Sequence, residues 1–156
     1  MRRLSGVLLA GAILLLPAFS HSAFAQQAQQ AAPPKTTYTG QVVLAAYVVN
    51  PDKTADYEKV MAQLKDALSK SPRPEAKQQL AGWKVMKNST PQPDGGVVYV
   101  HVISPVVPDA DYSITNLVYE VVTDPMARME FYNLYRGALK QALFVIQGPL
   151  SSDFSK

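Results

Sequence analysis

Apolar residues form two different patterns along this chain, and each pattern predicts one kind of secondary structure. Runs rich in β-branched and aromatic residues predict strands at Val42–Val49, at residues 83–86 and at Val97–Ile103. Elsewhere apolar residues recur every three or four positions, the period that places them on one side of a helix. The three helical stripes consist of Tyr57, Val60, Met61, Leu64, Ala67 and Leu68; of Ile114, Leu117, Val118, Val121 and Val122; and of Phe131, Leu134, Tyr135, Ala138, Leu139 and Ala142.

Capping and turn residues separate these elements. Thr54, Ser113 and Asp124 are predicted N-caps, each placed just ahead of a helical stripe. Residues 88–96 contain two prolines and an Asp-Gly-Gly step, which predicts the loop of a hairpin between the second and third strands. Residues 143–146 fit either a last strand or the end of the third helix, and their short length and β-branched pair favour a strand.

The resulting order of elements is β-α-β-β-α-β, a split βαβ arrangement of the ferredoxin-like kind within the α+β class. It predicts an antiparallel sheet of four strands with helices on one face. The strand Val97–Ile103 is apolar on both of its faces, so both faces need cover. Helices can cover one face, and we expect the sheet of a second copy to cover the other in a homodimer. The pattern leaves open which face meets the helices.

The first residues have the three-part layout of a secretory signal peptide. Met1-Arg2-Arg3 is basic, residues 7–16 are apolar or small, and Ala23-Phe24-Ala25 fits a cleavage site. The apolar run is too short to cross a bilayer of ~30 Å as a helix, so we predict no membrane anchor after cleavage. The expected location is periplasmic or secreted, with residues 1–25 removed.

The rest of the chain is predicted to hold one folded domain. Residues 26–36 are rich in Gln, Ala and Pro and contain no large apolar side chain. Such a segment cannot bury enough surface to offset its ordering entropy, so we predict a disordered leader. Residues 37–150 are assigned to a single ferredoxin-like domain and residues 151–156 to a short tail.

Charge and cysteine content exclude several classes of function. The chain has 15 basic and 12 acidic residues, and loss of Arg2 and Arg3 with the signal peptide brings these numbers almost into balance. A nucleic-acid partner is therefore not predicted. The chain has no cysteine, which excludes disulfides, thiol nucleophiles and iron–sulfur clusters. After loss of His21, one histidine remains; a single histidine cannot build a zinc site, so we predict no metal and no cofactor.

That remaining histidine, His101, is the polar residue that strand packing does not explain. It could act as a general base, a hydrogen-bonding group or a single metal or haem ligand in a cavity, or it could be a buried structural histidine. Tyr47, Trp83 and Tyr99 would join it in an aromatic pocket if the central strands present them on one face; otherwise they belong to a dimer core. Aromatic walls with a few polar tips suit a small apolar or aromatic ligand.

The layout resembles the dimeric α/β-barrel superfamily over residues 37–150. The resemblance rests on the strand–turn–helix of residues 42–68, on Gly82-Trp83 at the start of the hairpin and on the apolar strand Val97–Ile103. It is similar to small exported members of unassigned role and, in layout, to antibiotic-biosynthesis-type monooxygenases. The acidic-x-tryptophan step and the helix histidine of those monooxygenases are missing here. The resemblance therefore implies a fold and sheet-to-sheet dimers, and it does not imply that activity.

Two hypotheses for function follow. The first is a non-catalytic binding or structural module of the cell envelope that could hold a small apolar ligand. The second is a cofactor-independent monooxygenase- or isomerase-like enzyme, in which His101 with Tyr47 or Tyr99 polarises a substrate. We favour the first because no catalytic constellation is apparent. The enzyme hypothesis requires a cavity that His101 reaches.

Overall fold

The structure is a computed structural model that describes residues 34–154, which form an α+β fold. The predicted signal peptide and most of the predicted leader lie outside the described residues. Within the described range there are one sheet of four strands and four α-helices. No helix in this range is long and apolar enough to cross a membrane. In chain order the elements are β1 (Val42–Val49), α1 (Thr54–Lys70), α2 (Ala76–Gly82), β2 (Trp83–Lys87), β3 (Val97–Ile103), α3 (Ile114–Val121), α4 (Pro125–Ala138) and β4 (Leu139–Gly148).

All neighbouring strands of the sheet are antiparallel, and their order across it is β2-β3-β1-β4. The central strands β1 and β3 are two continuous apolar runs of the sequence, and their predicted bounds are confirmed. Strand β1 pairs with β3 in register from Val43 opposite Ile103 to Val49 opposite Val97. Directly opposed residues of an antiparallel pair lie on the same face, so this register fixes which side chains share a face.

The helices pack on the face that carries the odd-numbered residues of β1 and β3. Along β3 these residues are buried, whereas Val98, Val100 and Val102 between them are half-buried. Tyr57 of α1 and Ala138 at the end of α4 pack against strand residues of this face. The helix-covered face therefore includes His101. The sequence could not predict which face the helices cover, because both faces of the strand are apolar.

The opposite face carries the even-numbered residues of β1, β2 and β3, which belong to no hydrophobic core cluster among the described residues. Ala46 and Val48 at its centre are buried, whereas large side chains from the edge strands are exposed. Met86 is 57% exposed, Phe144 43% and Ile146 59%. The sheet thus has one face packed on helices and a second apolar face with exposed margins, here called the open face.

The predicted caps Ser113 and Asp124 are confirmed. The Ser113 side chain accepts a hydrogen bond from the Asn116 N–H at the start of α3, and Asp124 accepts one from the Ala127 N–H at the start of α4. Each bond satisfies one of the backbone donors that a helix leaves free in its first turn. Asp124 is followed by Pro125, whose missing N–H costs nothing at this position.

The predicted cap Thr54 is wrong. Pro51–Lys53 forms a short 3₁₀ helix after β1, closed by a bond from the Lys53 N–H to the Asn50 carbonyl at 3.0 Å. Thr54 follows with helical backbone angles and is already the first residue of α1. Lys53 therefore occupies the cap position, and no side chain caps the helix there.

The third helical stripe ends earlier than predicted. Helix α4 stops at Ala138, so Leu139 and Ala142, both predicted on the helix, lie in β4. The Asn50 backbone N–H donates to the Ala138 carbonyl at 3.0 Å, and the Asn50 side-chain amide donates to the same oxygen at 3.4 Å. This contact from the end of β1 satisfies a carbonyl that a continuing helix would use itself. For residues 143–146 the strand alternative is confirmed.

Candidate functional site

His101 lies in the middle of β3 on the helix-covered face and is 2% exposed. Gln79 is the only other buried residue classed as polar or charged among the described residues. Its direct neighbours across the sheet are Ala45 of β1 and Val85 of β2. These short neighbours leave room around the imidazole for larger side chains from diagonal strand positions and from the helices.

Both ring nitrogens of His101 are engaged by aromatic side chains. The Trp83 indole N–H donates to Nδ1 at 3.0 Å, and the Tyr57 hydroxyl oxygen lies 2.6 Å from Nε2. An indole N–H can only donate, so Nδ1 carries no proton. The proton of the neutral ring is then on Nε2, which donates to the Tyr57 oxygen. The donor of each hydrogen bond is thereby fixed: Trp83 donates to His101, and His101 donates to Tyr57.

Burial keeps this ring neutral. Loss of hydration lowers the pKa of His101 from 6.5 to about 4, because the charged imidazolium is disfavoured in the protein interior. Protonation of Nδ1 would also set an N–H against the Trp83 N–H, and the bond between them would be lost. Burial raises the pKa of Tyr57, so its phenol stays protonated. At neutral pH the three side chains therefore form an uncharged hydrogen-bonded chain.

A cavity of about 140 Å³ lies beside His101, between the sheet, the first turn of α3 and the segment before β1. That segment is held in place by the Thr36 N–H, which donates to the Asp111 carboxylate at 2.9 Å, and by the Thr36 carbonyl, which accepts from the Tyr112 N–H at 2.7 Å. The cavity wall is formed by Thr36, Tyr38, Ala45, Tyr47, Trp83, His101, Ile103, Tyr112, Ser113, Ile114, Thr115 and Tyr135.

Three phenol hydroxyls of the cavity wall have no hydrogen-bond partner in the part of the chain that the structure describes. They belong to Tyr38, Tyr47 and Tyr135. Burial raises the pKa of each, and electrostatic repulsion from the Tyr47 phenolate raises those of Tyr38 and Tyr135 further. All three side chains border the same cavity. They remain protonated at neutral pH and offer donors to whatever fills the cavity.

Three of the four predicted pocket residues lie together. Tyr47, Trp83 and His101 border the same cavity, and the Tyr47 ring stands edge-on to the imidazole at a centroid distance of 5.4 Å. Tyr99 shares their face of the sheet but lies away from the cavity. It packs against Tyr57 at a centroid distance of 4.7 Å, and its hydroxyl donates to Glu58 at 2.8 Å.

Residues from outside the strands complete the site and were not predicted as part of it. Tyr57 reaches His101 from α1, Tyr135 borders the cavity from α4, and Tyr38 comes from the segment before β1. Tyr57 and Tyr135 each stand in a helical stripe that is otherwise almost entirely aliphatic. A tyrosine in such a stripe carries a hydroxyl that needs a partner once it is buried, and this was the available signal.

A larger groove of about 490 Å³ lies on the other side of Trp83, between α1, α2 and β2. Its wall is mainly apolar, from residues such as Leu64, Leu68 and Leu80, and its polar groups are the side chains of Lys65 and Lys84. Nothing in it fixes the orientation of a ligand, because no buried polar group converges there. The smaller cavity is therefore the better candidate site.

No group of three or more His, Asp or Glu side chains that could hold a metal ion occurs in residues 34–154. No protein-family model matches the chain, and no curated protein or solved structure is significantly similar to it. Fold and site alone define the class: an α+β domain with an antiparallel sheet of four strands, whose covered face holds a neutral histidine beside a hydroxyl-lined cavity.

Proposed function

We propose that this chain is an exported, homodimeric, ferredoxin-like module that binds a small molecule without transforming it. The observation that carries the proposal is the contrast between His101 and the cavity beside it. Both ring nitrogens of His101 are already bonded, whereas three hydroxyls of the cavity wall are free to bind. Export is supported by the signal-peptide layout of residues 1–25.

The bonding of His101 favours binding over catalysis. A general base needs a free lone pair within hydrogen-bonding reach of the substrate. The lone pair at Nδ1 accepts from Trp83, and Nε2 carries the ring proton toward Tyr57. A substrate in the cavity could recruit His101 only by breaking one of these buried bonds, which would leave a donor unsatisfied.

The strand order and the open face support the ferredoxin-like and dimeric parts of the proposal. The order β2-β3-β1-β4 supports a split βαβ arrangement: β2 lies outside β3, and β4 lies outside β1. The open face is apolar across the central strands, and Met86, Phe144 and Ile146 are exposed at its margins. A second copy offers the same face, so a two-fold axis would bury all of these side chains together.

The dimer is tested by placing a charge on the open face. Val100 lies at its centre, opposite Ala46 and Met86, and Val100→Asp would bury two carboxylates near the two-fold axis without partners. We expect the wild-type mature protein to have the mass of a dimer by light scattering and native mass spectrometry. We expect Val100→Asp to be a monomer, and Met86→Glu, at a more exposed position, to weaken the dimer by at least tenfold in dissociation constant.

Gln78→Asp is the matched control, because Gln78 is exposed on α2 and away from the open face. This variant should remain a dimer. A wild-type monomer at micromolar concentration, or a folded Val100→Asp dimer, would contradict the pairing. Native mass spectrometry of protein purified from its source also tests binding, since a retained small molecule adds its mass to the dimer.

A further inference from the structure

The hydroxyl-lined cavity is specific enough to indicate the class of its ligand. Its volume of about 140 Å³ is close to the ~150 Å³ that accommodates a benzene molecule in a protein interior. A haem, a flavin or a fatty acid chain is much larger than this. Size therefore limits the part of a ligand that enters the cavity to roughly one ring with a small substituent.

The wall of the cavity selects against charge. None of its residues carries a charged side chain at neutral pH, because His101 is the sole basic group there and stays neutral. A carboxylate or ammonium group would lose its hydration on entry and find no ion of opposite sign. An uncharged ligand avoids that cost.

The rings and hydroxyls of the wall define the shape and polarity of the ligand. Trp83 and Tyr112 lie 5.5 Å apart between centroids, Tyr38 and Tyr112 5.3 Å, so aromatic faces and edges surround the space. Such surroundings favour a flat ring. The hydroxyls of Tyr47 and Tyr135 are free to donate to an acceptor, which a purely apolar ring would not supply.

We infer that the cavity takes an uncharged, single-ring aromatic molecule whose carbonyl or hydroxyl oxygen accepts hydrogen bonds from Tyr47 and Tyr135. This inference rests on the proposed binding function and narrows it. Water is the competing occupant, since the same volume has room for about four or five molecules at ~30 Å³ each.

Matched probes test this class on the mature wild-type protein. Benzamide and benzoate have the same shape but differ in charge; phenol has a hydroxyl where toluene has a methyl group. Trp83 is the single tryptophan of the chain, so its indole N–H gives one NMR signal at the cavity wall. Following that signal, we expect benzamide to bind at least tenfold more tightly than benzoate, and phenol about three- to tenfold more tightly than toluene.

Hydroxyl deletions test the assigned contacts. Tyr47→Phe and Tyr135→Phe should each weaken benzamide and phenol by about three- to tenfold and should not weaken toluene, because toluene makes no hydrogen bond to either hydroxyl. Tyr132→Phe is the matched control: Tyr132 lies on α4 too, is exposed and does not border the cavity, so no affinity should change. Circular dichroism and the urea midpoint show whether each variant is folded.

Four results would overturn the inference: benzoate binding as tightly as benzamide, toluene as tightly as phenol, unchanged affinities in both cavity variants, or no shift of the Trp83 signal with any probe. If no probe shifts the Trp83 signal, native mass spectrometry of protein purified from its source shows whether the ligand class or the binding function itself has failed. A retained molecule of another class would refute the ligand class alone. An empty dimer together with unresponsive probes would refute both.

Discussion

His101 should make the stability of this protein depend on pH between 7 and 4. The unfolded chain binds a proton at this histidine with a pKa of 6.5, whereas the folded chain binds it only at about 4. Between these values the unfolded state holds more protons, so acid favours unfolding. Above pH 7 the ring is neutral in both states, and below pH 4 it is charged in both, so the effect is confined to this interval.

The size of the effect follows from the difference between the two pKa values. One pKa unit corresponds to about 1.4 kcal/mol, so the interval from 6.5 to about 4 amounts to about 3 kcal/mol of unfolding free energy. About 2 kcal/mol of this should already be lost at pH 5. Because the side chain is 2% exposed, solvent does not screen the effect substantially. A loss of this size is a large fraction of the stability of an ordinary domain.

Urea unfolding followed by Trp83 fluorescence measures the effect, at one protein concentration because the proposed dimerisation would contribute to stability. The wild-type protein and His101→Gln are compared at pH 7.5 and pH 5. Glutamine keeps an acceptor and a donor but does not titrate. The variant should be less stable at pH 7.5, yet its further loss on acidification should be smaller by about 2 kcal/mol. Carboxylates that titrate in this range are common to both proteins and cancel.

Equal losses in the two proteins would refute the reasoning. An NMR titration gives a second check, since the imidazole signals of folded wild-type protein should not move between pH 7 and pH 5. A folded-state pKa near 6.5 would mean that the ring is hydrated and that its bonds to Trp83 and Tyr57 do not hold.

Two further predictions concern the scaffold, and urea midpoints check both. Asp124→Ala should cost about 1 kcal/mol because it removes the cap of α4, whereas Asp124→Asn keeps an acceptor and should cost less; equal losses would contradict the capping role. Gly95→Ala should cost about 1 kcal/mol because Gly95 has φ of 81° in the hairpin loop, whereas Gly137→Ala in α4 meets no atom within 4 Å and should not destabilise; the reverse order would be inconsistent with this account.

Local signals in the sequence were enough to predict most of the elements. The apolar runs of β1 and β3 and the caps Ser113 and Asp124 depend on neighbouring residues alone, and all four are found as predicted. The end of α4 depends instead on Asn50, which lies 88 residues away along the chain from Ala138. The apolar helical pattern continues past Ala138, so this distant contact could not be predicted from it.

The site shows the same division between local and distant information. The sequence could group Tyr47, Trp83 and His101 only on the condition that their strands present them on one face, because a period of two fixes faces within a strand and not between strands. The observed pairing of β1 and β2 with β3 meets that condition. Tyr57 and Tyr135 enter from helices whose docking the sequence does not specify. The same limit explains Tyr99: sharing a face with His101 does not bring its hydroxyl to the same cavity, because α1 offers it Glu58 instead.

An imidazole at position 101 departs from the otherwise apolar centre of β3. An aliphatic residue there would avoid both the burial of polar atoms and the loss of stability in acid. The imidazole instead holds Trp83 at the cavity wall through Nδ1 and joins β3 to α1 through Tyr57. A polar chain of this kind, in which both nitrogens of His101 are bonded, fixes side-chain positions more sharply than apolar contacts do. This polar residue in an apolar strand lies beside the cavity proposed for binding. Functional sites are where a sequence is expected to break the packing pattern of its fold.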